Sequence, residues 1–290
     1  MEVLVLGWHF PTIRRQCLCE GYSGMTDRKS DHLRNSFNGA ADLYDRARPY
    51  YPDALLDDLL RISKLGPDRS VLEIGPGTGQ LTVPLAKSGA KILAVELGQN
   101  LAAVARERLS GFGETEVVVA DFDSWTPPPL EFDLVVSATA FHWLDPDTRL
   151  AKCISLLRPG GTLAVVETHW GAGAGYDRFP VESQRCYSHW RPDCSSDYDP
   201  ESRRWLPQSK EEFDRDEQLG EASLMRYEVE REYSARQYCE LLATYSDVIV
   251  LEDAARSGFL RCISELIEAR FGGRITGSDV LSLWTTQRMA

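Results

Sequence analysis

The sequence has no C-x-x-C pair, no apolar run long enough to cross a bilayer, and no lysine and arginine cluster dense enough to make a basic face. Each absence excludes something. The seven cysteines are scattered and odd in number, so neither a zinc site nor a disulfide framework is expected, and a reducing, cytoplasmic setting is the natural one. Cys186, His189 and Cys194 lie close together, but they read more simply as a thiol-containing loop, and no metal is expected. Without a spanning run, no membrane partner is expected. With 44 acidic residues against 32 basic ones and a formal net charge of -12, nucleic acid is not an expected partner, and a small molecule is. Internal repeats and low-complexity tracts are also missing.

The N-terminus carries no credible secretion signal either. Met1-Glu2-Val3-Leu4-Val5-Leu6 is apolar but short, and Glu2 stands where a signal peptide carries positive charge. Met25 opens a polar stretch that reads like an ordinary protein start, so residues 1–24 are expected to be a disordered extension outside the core, from an upstream start codon.

What is present is ample apolar material, 43% of 290 residues, enough for a sizeable core. Residues 33–66 read as helical. Pro52 can open a helix at its first turn, Leu55, Leu56, Leu59, Leu60, Ile62 and Leu65 supply an apolar face, and Gly66-Pro67 ends it. From about residue 70 to 168, short apolar strands alternate with helices. Strands are expected at 70–74, 92–95, 116–120, 132–138 and 162–167, and helices at 80–87, 101–109 and 148–157, with Arg158-Pro159-Gly160-Gly161 as a turn. Such repeated units predict an α/β fold whose parallel sheet is covered by helices on both faces.

Residues 169–224 break this pattern. They are rich in aromatic and charged residues, among them Trp170, Tyr176, Phe179, Tyr187, Trp190, Tyr198 and Trp205, and read as an inserted cap. A strand at 225–233, helices near 235–245 and 254–271, and a last strand at 280–286 follow. The expected division is therefore an extension (1–24), a helical segment (25–66), a core (67–168), the inserted cap (169–224) and a completion of the sheet (225–290).

The most informative stretch is Val71-Leu72-Glu73-Ile74-Gly75-Pro76-Gly77-Thr78-Gly79. A glycine-rich turn between strand and helix lets backbone approach a ligand closely and aims helix N–H groups at it. The spacing is G-x-G-x-G. The dinucleotide fingerprint G-x-G-x-x-G needs its third glycine at position 80, which is Gln80, so a pyrophosphate cradle and an NAD-dependent oxidoreductase are disfavoured. Acidic residues add weight: Glu73 lies in the first strand, Glu96 ends the second and Asp121 ends the third. Carboxyl ends of parallel strands converge on one crevice, where a carboxylate at the second can accept hydrogen bonds from both ribose hydroxyls; capping of the following helices is the simpler role for each acid alone.

The sequence here resembles the class I S-adenosylmethionine-dependent methyltransferases. The resemblance spans about residues 36–290 and rests on Val71–Gly79, Val95-Glu96, Ala120-Asp121-Phe122, Phe132-Asp133-Leu134-Val135-Val136 and Leu157-Arg158-Pro159-Gly160-Gly161. Two stretches, Tyr44-Asp45-Arg46-Ala47-Arg48-Pro49-Tyr50-Tyr51-Pro52 and Ala140-Phe141-His142-Trp143-Leu144-Asp145, resemble the small-molecule branch that includes trans-aconitate methyltransferase-like proteins. The resemblance implies a Rossmann-like three-layer sandwich with a seven-stranded, mostly parallel sheet whose last strand is antiparallel, and S-adenosylmethionine as cofactor. It also implies roles. Gly75, Gly77 and Gly79 line the methionine part, Glu96 holds the ribose, Asp121 meets the adenine amino group and Phe122 flanks the ring. Ser137 and Ala138 touch the cofactor through backbone atoms, while Tyr44 and Arg48 close over its methionine end; a surface ion pair is an equal reading for Arg48.

Methyl transfer from a sulfonium is an in-line displacement in which the protein supplies mainly alignment and exclusion of water. A general base is needed only where the acceptor must lose a proton, and His142, following the fourth strand, is the catalytic candidate; packing of the next helix is its alternative role. The aromatic cap is the candidate acceptor wall. Arg185, Arg191, Arg203 and Arg204 could meet an anionic substrate, although a solvated surface explains them more simply. Two other functions stay open: a cofactor-binding regulatory or scaffold module, and a methyltransferase acting on a macromolecule. Against the latter, Ser137-Ala138-Thr139-Ala140 stands where amino-methylating DNA enzymes carry Pro-Pro and an aromatic.

Overall fold

A computed structural model describes residues 36–170, 178–191 and 210–289. The extension expected at 1–24 lies outside the described residues, as do Cys194, Arg203, Arg204 and much of the expected cap.

Seven strands, β1 (Ser70–Ile74), β2 (Lys91–Glu96), β3 (Thr115–Val119), β4 (Phe132–Ala138), β5 (Leu157–His169), β6 (Ser223–Ser234) and β7 (Arg274–Gln287), form one sheet in the order β3-β2-β1-β4-β5-β7-β6. The pairs β1–β2, β2–β3, β1–β4 and β4–β5 are parallel, and β7 is antiparallel to both β5 and β6. The last strand therefore runs against the other six, as the resemblance implied.

The period-2 alternation of the strands explains the two faces. Val71, Leu134, Ala164 and Leu283 point into one apolar layer; their neighbours Leu72, Val135, Val165 and Trp284 point into the other. On the first face lie α1 (Ala41–Ala47), α2 (Asp53–Ser63), α3 (Thr82–Ala86) and α4 (Gln99–Leu109). In α2, Leu55 and Leu59 sit one turn apart and are both fully buried, the core stripe of an amphipathic helix. On the second face lies α5 (Arg149–Leu156), followed by the short α7 (Lys210–Phe213), with α6 (Phe179–Trp190) preceding it in the chain.

Two local expectations change. Arg158-Pro159-Gly160-Gly161 is the first part of β5 rather than a turn. The chain bulges there without leaving the sheet, and glycine fits the bulge, because a Cβ at Gly161 would stand 2.9 Å from the carbonyl oxygens of Arg158 and Phe132. The first helix after the glycine turn is also shorter than expected, Thr82–Ala86 instead of 80–87.

The third apolar layer lies beyond the sheet. Parallel strands β5 and β6 end at the same edge, and the helices that follow them meet there. From the β5 side comes α6; from the β6–β7 connection come α8 (Ala235–Leu242), α9 (Ser246–Ile249) and α10 (Asp253–Phe271). Phe179 and Cys186 of α6 share a core with Leu241, Leu242, Phe259, Ile263, Leu266 and Ile267. Helix α8 opens on a capping box, Ser234 with Gln237, and α10 closes on Gly272 in the left-handed region. Two insertions, one after β5 and one after β6, thus meet in this layer.

A disulfide, Cys186–Cys262, staples those two insertions, with Cα atoms 5.8 Å apart. This corrects the expectation that no disulfide forms. No spacing rule could signal a pair 76 residues apart; only the packing of α6 on α10 brings them together. Arg191, offered as a substrate contact, is instead buried and ion-paired with Asp247 at 2.5 Å, while Arg185 is exposed. Among the described residues, no group of three or more His, Cys, Asp or Glu could hold a metal, and no helix is long and apolar enough to cross a membrane.

Gly258 of α10 lies flat under the Trp190 ring, where an added Cβ would stand 2.2 Å from the nearest ring carbon. Alanine favours a helix over glycine by ~1 kcal/mol, yet overpacking of this kind costs roughly 1–3 kcal/mol. We therefore expect Gly258→Ala to lower the urea midpoint; a raised midpoint would show that α6 does not press on α10.

Candidate active site

At the C-terminal end of β1 the chain turns through Gly75, Gly77 and Gly79, all in the left-handed region at φ +68°, +61° and +92°. A Cβ at 77 would also press on Cε1 of Tyr44 at 3.3 Å. The turn is pinned from the next strand. Glu96, at the end of β2, accepts a hydrogen bond from the Gly77 N–H at 2.9 Å on one oxygen and from the Gly98 N–H at 2.8 Å on the other. Gln80, at the position a dinucleotide site would reserve for glycine, is buried and donates to the Thr78 hydroxyl at 2.7 Å.

A cleft of about 540 Å³, partly open to solvent, lies beside this turn. Of the residues singled out from the sequence, Tyr44, Arg48, Glu73, Gly75 and Ala138 wall it. Ser137 sits just beneath, its hydroxyl donating to the Ile74 carbonyl and tying the ends of β4 and β1 together. Asp121 lies two residues beyond β3 and accepts from the Asp123 N–H at 3.2 Å, so a turn-forming bond is already part of its role. The Phe122 ring is only 3% exposed and packs in the second apolar layer, with the Lys152 ammonium 4.8 Å from its centroid. That ring is core, which leaves main-chain atoms as its nearest means of touching a ligand.

Arg48 is not a surface ion pair. Its Nε donates to the Thr244 hydroxyl and one terminal nitrogen to the Thr244 carbonyl, both at 2.9 Å. Its guanidinium carbon lies 4.6, 4.9 and 5.6 Å from the ring centroids of Tyr245, Tyr44 and Trp170. Among the described residues it has no carboxylate partner, so a positive charge faces the cleft uncompensated.

Of the opposite wall, the sequence singled out only Trp170, as part of the aromatic cap expected to meet the acceptor. Tyr51, Thr139, Thr168, Trp170, Arg231 and Leu281 stand there. The Thr139 hydroxyl lies 3.0 Å from that of Thr168 and 3.4 Å from that of Tyr51. Thr139 itself is at φ +57°, a conformation a β-branched residue rarely adopts. Arg231, paired with Asp279 at 2.9 Å, also donates to the Tyr50 carbonyl at 3.1 Å. Only the Trp-rich composition around Trp170 hinted at this wall; the rest comes from strands distant in sequence.

Burial pushes Glu73 up to about 8, opposed by the Thr82 hydroxyl and reinforced by the charge of Glu96. One Glu73 oxygen has no hydrogen-bond partner. Burial raises Glu96 as well, and the backbone donors of Gly98, Gly77 and Leu97 oppose the rise. Burial drives the Tyr51 phenol far above its ordinary value, which keeps it a neutral hydrogen-bonding group. His142 lies on a 3-10 turn (Phe141–Trp143), exposed to solvent, and is not among the residues that wall the cleft. Loss of hydration around the ring, with the charges of Arg149 and Arg48 adding to it, lowers its pKa below the ordinary value. A ring so weakly basic offers little driving force for proton abstraction at neutral pH, which weighs against the role expected for it.

The direction of the Glu73 shift generates a prediction. Its folded pKa lies above its unfolded one, so the stability it contributes is full below about 4.5 and is lost as pH rises through about 8. Glu73→Gln should therefore raise the melting temperature of the ligand-free protein at pH 8.5 more than at pH 5. Equal shifts at both pH values would show that Glu73 titrates normally.

Comparison with known proteins agrees with this geometry. A family model described as a methyltransferase domain matches residues 71–161, the segment from β1 into β5. An uncharacterized methyltransferase of Mycobacterium bovis is 35% identical over 135 residues, covering 45% of this chain and 51% of that protein, so the chain spans about half the length of that relative. One from Bacillus cytotoxicus is 31% identical over 183 residues, covering 61% of this chain and 82% of that protein. The solved structure of the YcgJ protein from Bacillus subtilis superposes with a TM-score of 0.52 at 13% identity, over 82% of this chain and 100% of that one, a likeness of fold alone.

Proposed function

The chain belongs to the S-adenosylmethionine-dependent methyltransferases, and from that premise we propose that it transfers the cofactor's methyl group to a small-molecule acceptor, within the branch that includes trans-aconitate methyltransferase-like proteins. The observation that carries this reading is the bond between Glu96 and the Gly77 N–H, which joins the glycine turn to the end of β2 beside a cleft. The residues fit the cofactor. The three left-handed glycines leave a surface without side chains, Glu96 retains acceptor capacity for ribose hydroxyls, and Asp121 stands one strand further along for the adenine amino group. Arg48 offers an uncompensated positive charge for the methionine carboxylate, and Glu73 offers an unpartnered buried oxygen for a cationic neighbour.

When bound, S-adenosylmethionine supplies an activated methyl group on a sulfonium. This chain's residues bind, orient and exclude water, and alignment of two reactants is worth up to about 7–11 kcal/mol. The acceptor enters from the far wall, between Trp170 and the hydroxyls of Tyr51, Thr139 and Thr168. None of those hydroxyls is a base, and His142 is a weak one, so the site suits an acceptor already nucleophilic at neutral pH or one that loses its proton to solvent. The acidic chain and the modest cleft favour a metabolite over a macromolecule.

Titration calorimetry with S-adenosylhomocysteine, then a methyl-transfer screen across metabolite classes, tests the reading. We expect micromolar binding and Glu96→Gln weakening it at least about tenfold, the equivalent of ~1.4 kcal/mol. No binding to the parent protein would overturn the cofactor site; binding without transfer to any metabolite would leave a regulatory module. With an acceptor in hand, His142→Ala should keep turnover within about threefold, and a loss of roughly a hundredfold, the scale of a lost general base, would restore His142 to that role.

A further inference from the structure

We infer that the Cys186–Cys262 bond is a thiol–disulfide exchange site through which a dithiol reductant weakens cofactor binding, an inference that rests on the cofactor reading above. The bond is placed where it can do so. It joins α6 to α10, the two halves of the cap, which share an apolar core as well. Trp190 covers Gly258, Arg191 meets Asp247 of α9 at 2.5 Å, and Phe179 and Tyr187 pack edge-on against Tyr238 and Phe259. Immediately before α9 come Thr244 and Tyr245, which hold Arg48 through two hydrogen bonds and a ring face. Trp170, on the chain that leads into α6, stacks on Tyr245 with centroids 5.7 Å apart and lines the cleft. Helix α6 therefore links the disulfide to its own C-terminal end, where Arg191 meets Asp247, next to the residues that place the cleft's uncompensated cation.

The two residues differ in exposure: Cys186 is fully buried, while Cys262 is half-buried. A thiolate of the dithiol attacks Cys262 Sγ, the S–S bond breaks, and its electron pair leaves on Cys186 Sγ, which takes up a proton. The reagent's second thiol then attacks its own sulfur in the mixed disulfide and expels the Cys262 thiol. The dithiol ends as a cyclic disulfide, and the protein gains two electrons and two protons. The remaining described cysteines take no part. Cys153 is fully buried with its pKa pushed up to about 12, and the Cys239 thiol donates to the Leu260 carbonyl.

The experiment uses the full chain. Native protein is alkylated with iodoacetamide before and after treatment with dithiothreitol, the labelled peptides are mapped, and S-adenosylhomocysteine affinity is measured for the oxidised, reduced and reoxidised forms. We expect Cys186 and Cys262 to be labelled only after reduction, and affinity to fall about fivefold or more, within the usual range of coupling between sites, and to recover on reoxidation. The double variant Cys186→Ser, Cys262→Ser should bind like the reduced form and ignore dithiothreitol. Labelling of both cysteines without reductant, or equal affinity of oxidised and reduced protein, overturns the inference. Absence of binding in every form overturns the cofactor reading instead, a result distinct from equal, measurable affinities. Reduction of the parent chain keeps the test decisive should the double variant fail to fold.

Discussion

Glu96 is the group on which the rest of the site depends. A carboxylate at the end of β2, 6% exposed, is costly to bury unless it is satisfied, and here it is satisfied by backbone N–H groups from two different turns. The bond to Gly77 fixes the glycine turn of β1, and the bond to Gly98 fixes the entry to α4. Register between β1 and β2 then carries the constraint across the sheet, since Ile74 and Val95 are paired neighbours. One side chain thus sets the spacing between the two strand ends that a cofactor must bridge. Burial, with the charge of Glu96 adding to it, pushes the neighbouring Glu73 toward its neutral form, so the two acids differ: one holds the backbone, and the other keeps an oxygen without a hydrogen-bond partner.

The N-terminal segment is held over this cleft by arginines from elsewhere in the chain. Arg108 of α4 pairs with Asp45 at 2.6 Å and also donates to the Tyr50 hydroxyl at 3.1 Å. Arg231 of β6 donates to the Tyr50 carbonyl, and Arg48 reaches up to Thr244 of the cap. Few apolar residues of this stretch are fully buried; the fixing is done by hydrogen bonds to long cationic side chains. Such bonds are individually modest and break without exposing a core.

The sheet was legible in the sequence because its apolar strands alternate at period 2 and its helices at 3.6, and both patterns are local. The glycine turn, Glu96 and the ends of β3 and β4 were legible for the same reason: each lies within a few residues of a strand terminus. What could not be read was set by contacts between distant segments. Cys186 meets Cys262, Arg191 meets Asp247 and Arg48 meets Thr244, and no periodicity ties the members of any pair. Thr139 was invisible for a different reason. Nothing in a threonine announces a left-handed backbone, and the cost of that conformation, roughly 1–3 kcal/mol, must be met by its surroundings.

Those surroundings are specific. Thr139 follows Ser137 and Ala138 at the end of the central strand β4, its N–H donates to the Val166 carbonyl of β5 at 2.8 Å, and its hydroxyl sits between Thr168 and Tyr51. The strand above it and the N-terminal segment below it thus hold it in place from opposite sides. An extended residue at this position would carry β4 straight on, whereas the left-handed turn swings the chain aside into the 3-10 turn of His142. A Cβ on Gly75 would fall 2.6 Å from that of Ala140, so the two turns, one after β1 and one after β4, are packed against each other. The strained residue and the glycine opposite it are therefore two halves of one constraint: each opens the crevice between β1 and β4 by refusing to continue its strand. Both are explained by the need for space at that switch point, and neither by the stability of the strand it ends.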